Sequence, residues 1–554
     1  MLWDENPENK NGQDRMKSFT KVLKASVLFA LLSQLLACTD DAEEPVAPAQ
    51  EVKQLTEGQV TGIASPYDEA IKVYRGLPYA APPVEDLRWR APKAPAAWTG
   101  VRVADNFASS CYQPRHVSSF VWRREDFPVS EDCLYLNVWS PVNADKRPVM
   151  VWFHGGSHVS GQGHSLIFDG TTLAQHDVVV VTINYRLGPL GFLAHPWLSE
   201  EVSAETAPGT SGNYGLMDKI AALRWVSRNI EALGGDPNNV TIFGQSAGSQ
   251  SVCSLMTAPA AQGFFHKAIG QSAGCVNPLI KVDANGYERG EAFIRALGAS
   301  SINDLREAKP DDLLAAMTES SWEAGSRIVI DGSVLPKWPD EVFAAGEQSK
   351  IPLMLGFLAN EGYELFPINT ALTKPDLAGF LAHVAGDRAD ELVGQYSASN
   401  LAFGELQHAI STDLFMAHGM RKWASYHADA GQDTFSYFMD HVPPAFHIYM
   451  PNQSFLELEG GPRSSGAYHS GDLAYVFGTL DKVGYDWNDA DRFVSAQIID
   501  YWTQFAKTGN PNAAGASDWL AFNTKDLHTR VINEASATVG GVRNTIMSIF
   551  SDAE

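Results

Sequence analysis

Two stretches of the chain carry the same five letters around a serine: Gly244-Gln245-Ser246-Ala247-Gly248 and Gly270-Gln271-Ser272-Ala273-Gly274. Glycines on both sides of a serine suit a hydroxyl held on a sharp strand-to-helix turn, where the backbone is strained and side chains would collide. A serine so placed can attack a carbonyl carbon. The letters alone say little, because at roughly 7% glycine a chain of this length yields them by chance about once in five. Context separates the two copies. The strand-like run Val240-Thr241-Ile242-Phe243 precedes Ser246, and a helical pattern continues through Ser249 to Met256. After the second copy, Cys275, Asn277 and Pro278 break any helix. Ser246 is therefore the expected nucleophile. Ser272 is expected to be a strand-end residue held by structural hydrogen bonds.

A serine hydroxyl needs a base to take its proton and an acid to orient that base. For a serine on this kind of turn, the acid and then the histidine follow in chain order. Glu361, just past the apolar run Pro352 to Gly356, fits the acid, with Asp331, Glu364 and Asp413 as rivals. The histidine candidates are His441, His447 and His469. Of these, His469 lies in Gly466-Ala467-Tyr468-His469-Ser470-Gly471, which reads as a flexible loop. The oxyanion that develops on the attacked carbonyl needs backbone N–H donors. Ala247, next after the nucleophile, can supply one, and the turn His154-Gly155-Gly156-Ser157 after an early strand can supply the others.

The elements needed to hold these groups are legible. Pro148 to Phe153 and Val178 to Ile183 are unbroken apolar runs, as in strands of a parallel sheet buried on both faces. Leu216 to Asn229 places Leu216, Ile220, Leu223 and Val226 on one helical face, and Gly234-Gly235-Asp236-Pro237 stops it. Strands follow at Val240–Phe243, Ala268-Ile269, Pro352–Gly356 and Thr434–Met439, with a late helix over Arg492–Lys507. Strands alternating with helices imply right-handed crossovers and a mostly parallel sheet. Val60 to Tyr74 reads as an antiparallel entry, and residues 276–330 and 370–432 as mostly helical.

Composition bounds the rest. The 554 residues are 45% hydrophobic and 19% charged, an ordinary globular balance. A net charge of −24 argues against nucleic-acid binding, which needs basic patches. Lys17, Lys21 and Lys24 precede an apolar run from Ala25 to Ala37, too short to span a bilayer, which reads as a secretory signal with Met16 as a plausible start. The run ends Leu35-Leu36-Ala37-Cys38, similar to a bacterial lipobox, and an acidic, Ala- and Pro-rich tether follows. The expected organisation is a signal over 1–37, a lipidated tether over 38–52 and one catalytic domain over 53–554. If Cys38 carries lipid, four of the five cysteines remain for an oxidising compartment. Four allow three pairings, of which Cys111–Cys133 with Cys253–Cys275 is the local one.

The chain also resembles a known family, the type-B carboxylesterases, from about Val60 to about Asn512. The resemblance rests on Arg75-Gly76-Leu77-Pro78-Tyr79-Ala80, Ser130-Glu131-Asp132-Cys133-Leu134-Tyr135-Leu136-Asn137-Val138 and Asn184-Tyr185-Arg186-Leu187-Gly188. Gly212-Asn213-Tyr214-Gly215-Leu216-Met217-Asp218, Tyr475-Val476-Phe477-Gly478 and Phe505-Ala506-Lys507-Thr508-Gly509-Asn510-Pro511 extend it. It implies an α/β-hydrolase fold: a large, mostly parallel central sheet flanked by helices, with a small N-terminal antiparallel sheet and helical insertions. It implies Ser246, Glu361 and His469 as the triad, Gly156, Ser157 and Ala247 as oxyanion donors, and Cys111–Cys133 as the family's first disulfide. The loop within that disulfide borders the family's entrance, so Trp122 is a candidate for substrate contact or for packing, beside Phe120 and Phe127. Four positions depart from the family pattern: Ser157 where Gly or Ala is usual, His158 where an aromatic is usual, Ser470 for Gly, and Asp472 for Glu. Cys253–Cys275 is not the family's usual second bridge.

The activity so implied is hydrolysis of a small-molecule carboxylic ester through an acyl-enzyme on Ser246. It needs no metal and no cofactor, although His154, His158 and His164 cluster in sequence. Contact with a membrane would come only through the N-terminal lipid. A lipase or amide hydrolase with the same triad is the alternative, and an inactive binding protein on this fold is a more distant one.

Overall fold

A computed structural model describes residues 51–114, 121–122, 127–205, 211–276, 286–322, 327–448, 456–513 and 518–552. The signal, Cys38 and nearly all of the tether lie outside these residues, as does Phe120. Residues 51–554 form one unit. Its frame is an eleven-stranded sheet. In chain order the strands are β1 (Ile63–Ser65), β2 (Asp68–Pro78), β3 (Tyr135–Pro141), β4 (Arg147–Phe153), β5 (Val179–Ile183), β6 (Gly235–Gln245), β7 (Lys267–Gln271), β8 (Leu353–Leu358), β9 (Thr434–Met439), β10 (His528–Ile532) and β11 (Ala537–Gly540). Their spatial order is β11-β10-β9-β8-β7-β6-β4-β5-β3-β2-β1. Every pairing from β5 through β10 is parallel, and the strands at both margins are antiparallel. Val52–Gln54, Gln59–Thr61 and Val101–Val103 make a separate three-stranded sheet at the N-terminal side of the unit.

The apolar runs lie where burial requires them. All of Val149 to Phe153 and Val179 to Ile183 are buried, with helices covering both faces of the sheet. On one face pack α1 (Tyr214–Asn229) and α2 (Ala247–Thr257), and on the other α4 (Leu473–Phe477) and α5 (Asp489–Thr508), with the short α3 (Gly362–Leu365) beyond β8. Trp152 of β4 meets Phe168, Phe243 and Phe477 at ring distances of 4.8 to 5.2 Å, tying the α4 layer to the sheet. Arg186 forms a buried bidentate pair with Asp218 of α1, at 2.7 and 2.8 Å, and locks the segment after β5 to that helix. The segments expected to be helical are so, at Tyr287–Leu297 and Pro310–Glu319 and again at Lys374–Ala385, Ala389–Ser397 and His418–Asp429.

Both local disulfides are formed, Cys111–Cys133 and Cys253–Cys275. The second ties α2 to the segment after β7. No helix among the described residues is long and apolar enough to cross a membrane.

Candidate active site

The turn around Ser246 is built by close approach. Ser246 follows the last residue of β6 and caps α2, with φ +56° and ψ −125°, a conformation that costs an ordinary residue about 1–3 kcal/mol. Its amide donates to the Gln271 carbonyl of β7 at 2.9 Å, and its carbonyl accepts the first helical bond from Gln250. A Cβ on Gly248 would lie 1.9 Å from the Phe153 carbonyl oxygen, so only glycine lets α2 start this near β4. Ser246 is partly exposed, whereas its neighbours Gln245 and Ala247 are buried.

The second copy shares the strand-end bend, with Ser272 at φ +58° and its amide bonded to the Gly356 carbonyl at 2.9 Å. Through residue 276 no helix follows it. Its hydroxyl is buried and makes no hydrogen bond among the described residues. The expected structural hydrogen bonding is therefore a backbone matter only.

The His154–Ser157 turn lies against the elbow. A Cβ on Gly155 would come 2.9 Å from the Gln245 side-chain oxygen and 3.1 Å from Cβ of Ser246. The Tyr185 hydroxyl donates to the His154 carbonyl at 2.7 Å and fixes the start of the turn. Ser157 takes a left-handed backbone, φ +54°, where the family's glycine would be at less strain. The amides of Ala247 and Gly248 head α2, where no earlier turn offers them a carbonyl. The three clustered histidines part company. His154 stacks on Tyr185 with ring centres 4.3 Å apart, and His164 packs against Phe107 and Phe127. His158 bonds Gln250 of α2 at 3.2 Å and packs on Phe192. Burial, with Lys219 nearby, holds it well below the usual imidazole value. A neutral His158 thus fills the aromatic position as a flat, hydrogen-bonding plug.

Glu361, just past β8, and His469, in the segment after β9, meet. Glu361 Oε2 lies 2.5 Å from His469 Nδ1, and both side chains are at most 1% exposed. The other carboxylate oxygen accepts the Leu358 amide at 2.7 Å. Asn360 bonds Ala467 in both directions, amide to carbonyl at 2.9 Å and side-chain oxygen to amide at 3.0 Å, and so staples the acid's turn to the base's loop. That loop, expected to be flexible, is buried and bonded instead. Burial works against a charged imidazole here. The hydrogen bond and charge of Glu361, followed by the charges of Glu364 and Asp472, carry His469 above its ordinary value. With Nδ1 turned to the carboxylate, Nε2 is left buried and without a hydrogen bond among the described residues.

Two glutamines link the elbow to the base. Gln245 Nε2 donates to the His469 carbonyl at 2.8 Å, and Gln271 Nε2 donates to Asp472 at 2.7 Å. Sequence reasoning passed over both, because the motif treats the residue before serine as free. The signal was the recurrence of glutamine before each serine. The rival acids are otherwise engaged. Asp331 accepts the Ser333 and Leu335 amides, and Asp413 pairs with Arg543 and Tyr396. His441 sits between Asp491 and Glu534, and His447 is partly buried in the loop after β9. Trp122 donates its indole N–H to Glu364, the third rival acid.

The profile of the carboxylesterase family matches residues 49–545. A fumonisin B1 esterase of Sphingopyxis macrogoltabida is 34% identical over 507 residues, covering 87% of each chain. A para-nitrobenzyl esterase of Bacillus subtilis is 34% identical over 493 residues, covering 86% of this chain and 93% of that one. Among solved structures, a para-nitrobenzyl esterase superposes with a TM-score of 0.77 at 30% identity, over 90% of this chain and 99% of its own.

Proposed function

The chain belongs to the carboxylesterase family and is a carboxylic ester hydrolase, and from that premise we propose that Ser246, His469 and Glu361 carry the reaction. His469 Nε2 takes the proton as Ser246 Oγ attacks the ester carbonyl. Glu361 holds the ring by Nδ1 and balances the charge that appears on it. The alcohol leaves with the proton from His469, an acyl-enzyme remains on Ser246, and water repeats the sequence to release the acid. The amides of Gly156, Ser157 and Ala247 receive the oxyanion. The support for the last assignment is the turn at Gly155, which abuts Ser246 so closely that an added Cβ would lie 3.1 Å from the serine Cβ.

The observation that carries the reading is the buried Glu361–His469 contact, whose histidine is bonded through its carbonyl to the residue before Ser246. Ser246→Ala is expected to abolish p-nitrophenyl acetate hydrolysis, while Ser272→Ala retains it. The opposite result would move the nucleophile to the second copy. We further propose that the enzyme is exported and held at a bacterial membrane by lipid on Cys38, with the tether after it. The support is the charged, then apolar, then Leu-Leu-Ala-Cys order of the first 38 residues.

A further inference from the structure

Glu364 stands apart from the triad yet touches its loop. Its Oε2 accepts the Ser470 amide at 2.8 Å, the Ser470 hydroxyl reaches both carboxylate oxygens at 2.8 and 2.9 Å, and the Trp122 indole donates to Oε1. Ser470 follows the proposed base directly. Trp122 belongs to the loop closed by Cys111–Cys133, whose neighbouring residue Val121 is fully buried and accepts the Ile448 amide at 3.1 Å. One partly buried carboxylate therefore joins three segments that are distant in sequence.

We propose that Glu364 is a positioning residue for the hydrolytic base: it latches the His469–Ser470 turn to Trp122, so that the indole and the imidazole are held together. The proposal rests on the triad reading above. One departure from the family pattern fits it. Ser470, where glycine is usual, supplies a hydroxyl that only an acceptor beside it can use, and Glu364 is that acceptor. An N–H to carboxylate bond is among the stronger hydrogen bonds. Glu364 also acts by charge. Burial pushes its carboxyl up, while the charge of His469 and the bonds from Ser470 and Trp122 work the other way. When ionised it favours the imidazolium of His469. The other titratable groups facing that imidazole are Glu361 and Asp472. Tyr468 faces Glu364 and Asp472, and Tyr437 faces Asp472 and Glu361; burial holds both phenols neutral.

Three variants test the latch in the full-length enzyme: Glu364→Gln, Glu364→Leu and Trp122→Phe. Each is assayed for kcat and KM on p-nitrophenyl acetate across pH, with thermal midpoints to confirm folding. Glu364→Leu is expected to lower kcat on the order of 10- to 100-fold with little change in KM, because a displaced base costs rate rather than binding. Trp122→Phe keeps the ring and loses the N–H, so it should lower kcat less. The double variant should be no worse than Glu364→Leu alone, since both remove one latch. Glu364→Gln removes the charge, so the acid limb of kcat/KM should move to lower pH by roughly half a unit. A merely structural contact would leave that limb in place. An unmoved limb, or additive effects of the two sites, would overturn the latch. Survival of activity in Ser246→Ala would instead overturn the triad. Wild-type behaviour of the Glu364 variants beside a dead Ser246→Ala would sink the latch alone.

Discussion

The sharpest test of the triad is a change of one atom, Glu361→Gln. The carboxylate has two different jobs. One oxygen accepts the Leu358 amide at 2.7 Å, and the other faces His469 Nδ1 at 2.5 Å. A glutamine in the same place must choose which end to turn where. Turning its NH2 toward the Leu358 amide would set two donors against each other in a buried site and leave both unpaired, at about 1–3 kcal/mol each. The Leu358 amide therefore selects the arrangement with the oxygen toward itself and the NH2 toward His469. Nδ1 must then accept, the ring proton moves to Nε2, and the base presents a donor to Ser246 where an acceptor is needed. The loss expected from a wrong tautomer is on the order of 10⁴ in kcat, or about 5 kcal/mol of transition-state stabilisation. Because size and shape are preserved, the unfolding midpoint should shift little. Steady-state hydrolysis of p-nitrophenyl acetate, with a burst measurement of acylation, reads the effect directly. A Glu361→Gln enzyme within tenfold of wild type would refute the reasoning, since it would show that Nδ1 protonation does not depend on this carboxylate.

Two further outcomes follow from the covalent links. Cys253–Cys275 joins positions 22 residues apart, and the entropy of closing such a loop amounts to about 3 kcal/mol; Cys253→Ala with Cys275→Ala should lower the urea midpoint accordingly, and an unchanged midpoint would mean the bridge constrains nothing. Cys38→Ser should shift the protein from the membrane fraction to the soluble exported fraction, and retention at the membrane would argue against a lipid on that residue.

The strands and the turn at Ser246 were legible because their physics is local. Val149 to Phe153 and Val179 to Ile183 announce a sheet buried on both faces, and the helical pattern after Ser246 separates it from Ser272. The base and acid were narrowed by order along the chain, and singled out by family resemblance. Nothing local says that Glu361 and His469 will meet, because the Asn360–Ala467 staple that joins them pairs residues 107 apart. The same limit hid Gln245, whose partner is the carbonyl of His469, and Glu364, which stood as a rival acid while its true neighbour, Ser470, was noted only as a departure. His158 was noted only as a departure from an aromatic position, and burial against Phe192 keeps it neutral and aromatic in use.

Three carboxyl groups around one imidazole raise a question of charge, since a dry site tolerates little net charge. The arrangement answers it by giving the three unequal surroundings. Glu361 is bonded to an amide and to the imidazole, which suits an ion. Asp472 is buried with one oxygen bonded to Gln271 and the other to nothing among the described residues. Burial, against the Gln271 bond and with the charge of Glu361 adding, pushes it up to about 7. Asp472 can therefore hold a proton and need not add a full negative charge behind the ring. Positive charge on His469 works the other way and favours ionising Asp472. Asp472 keeps its carboxyl on the side-chain amide of Gln271, whose backbone carbonyl accepts the amide of Ser246. The backbone of Ser246 and the carboxyl of Asp472 thus hang on one residue of β7.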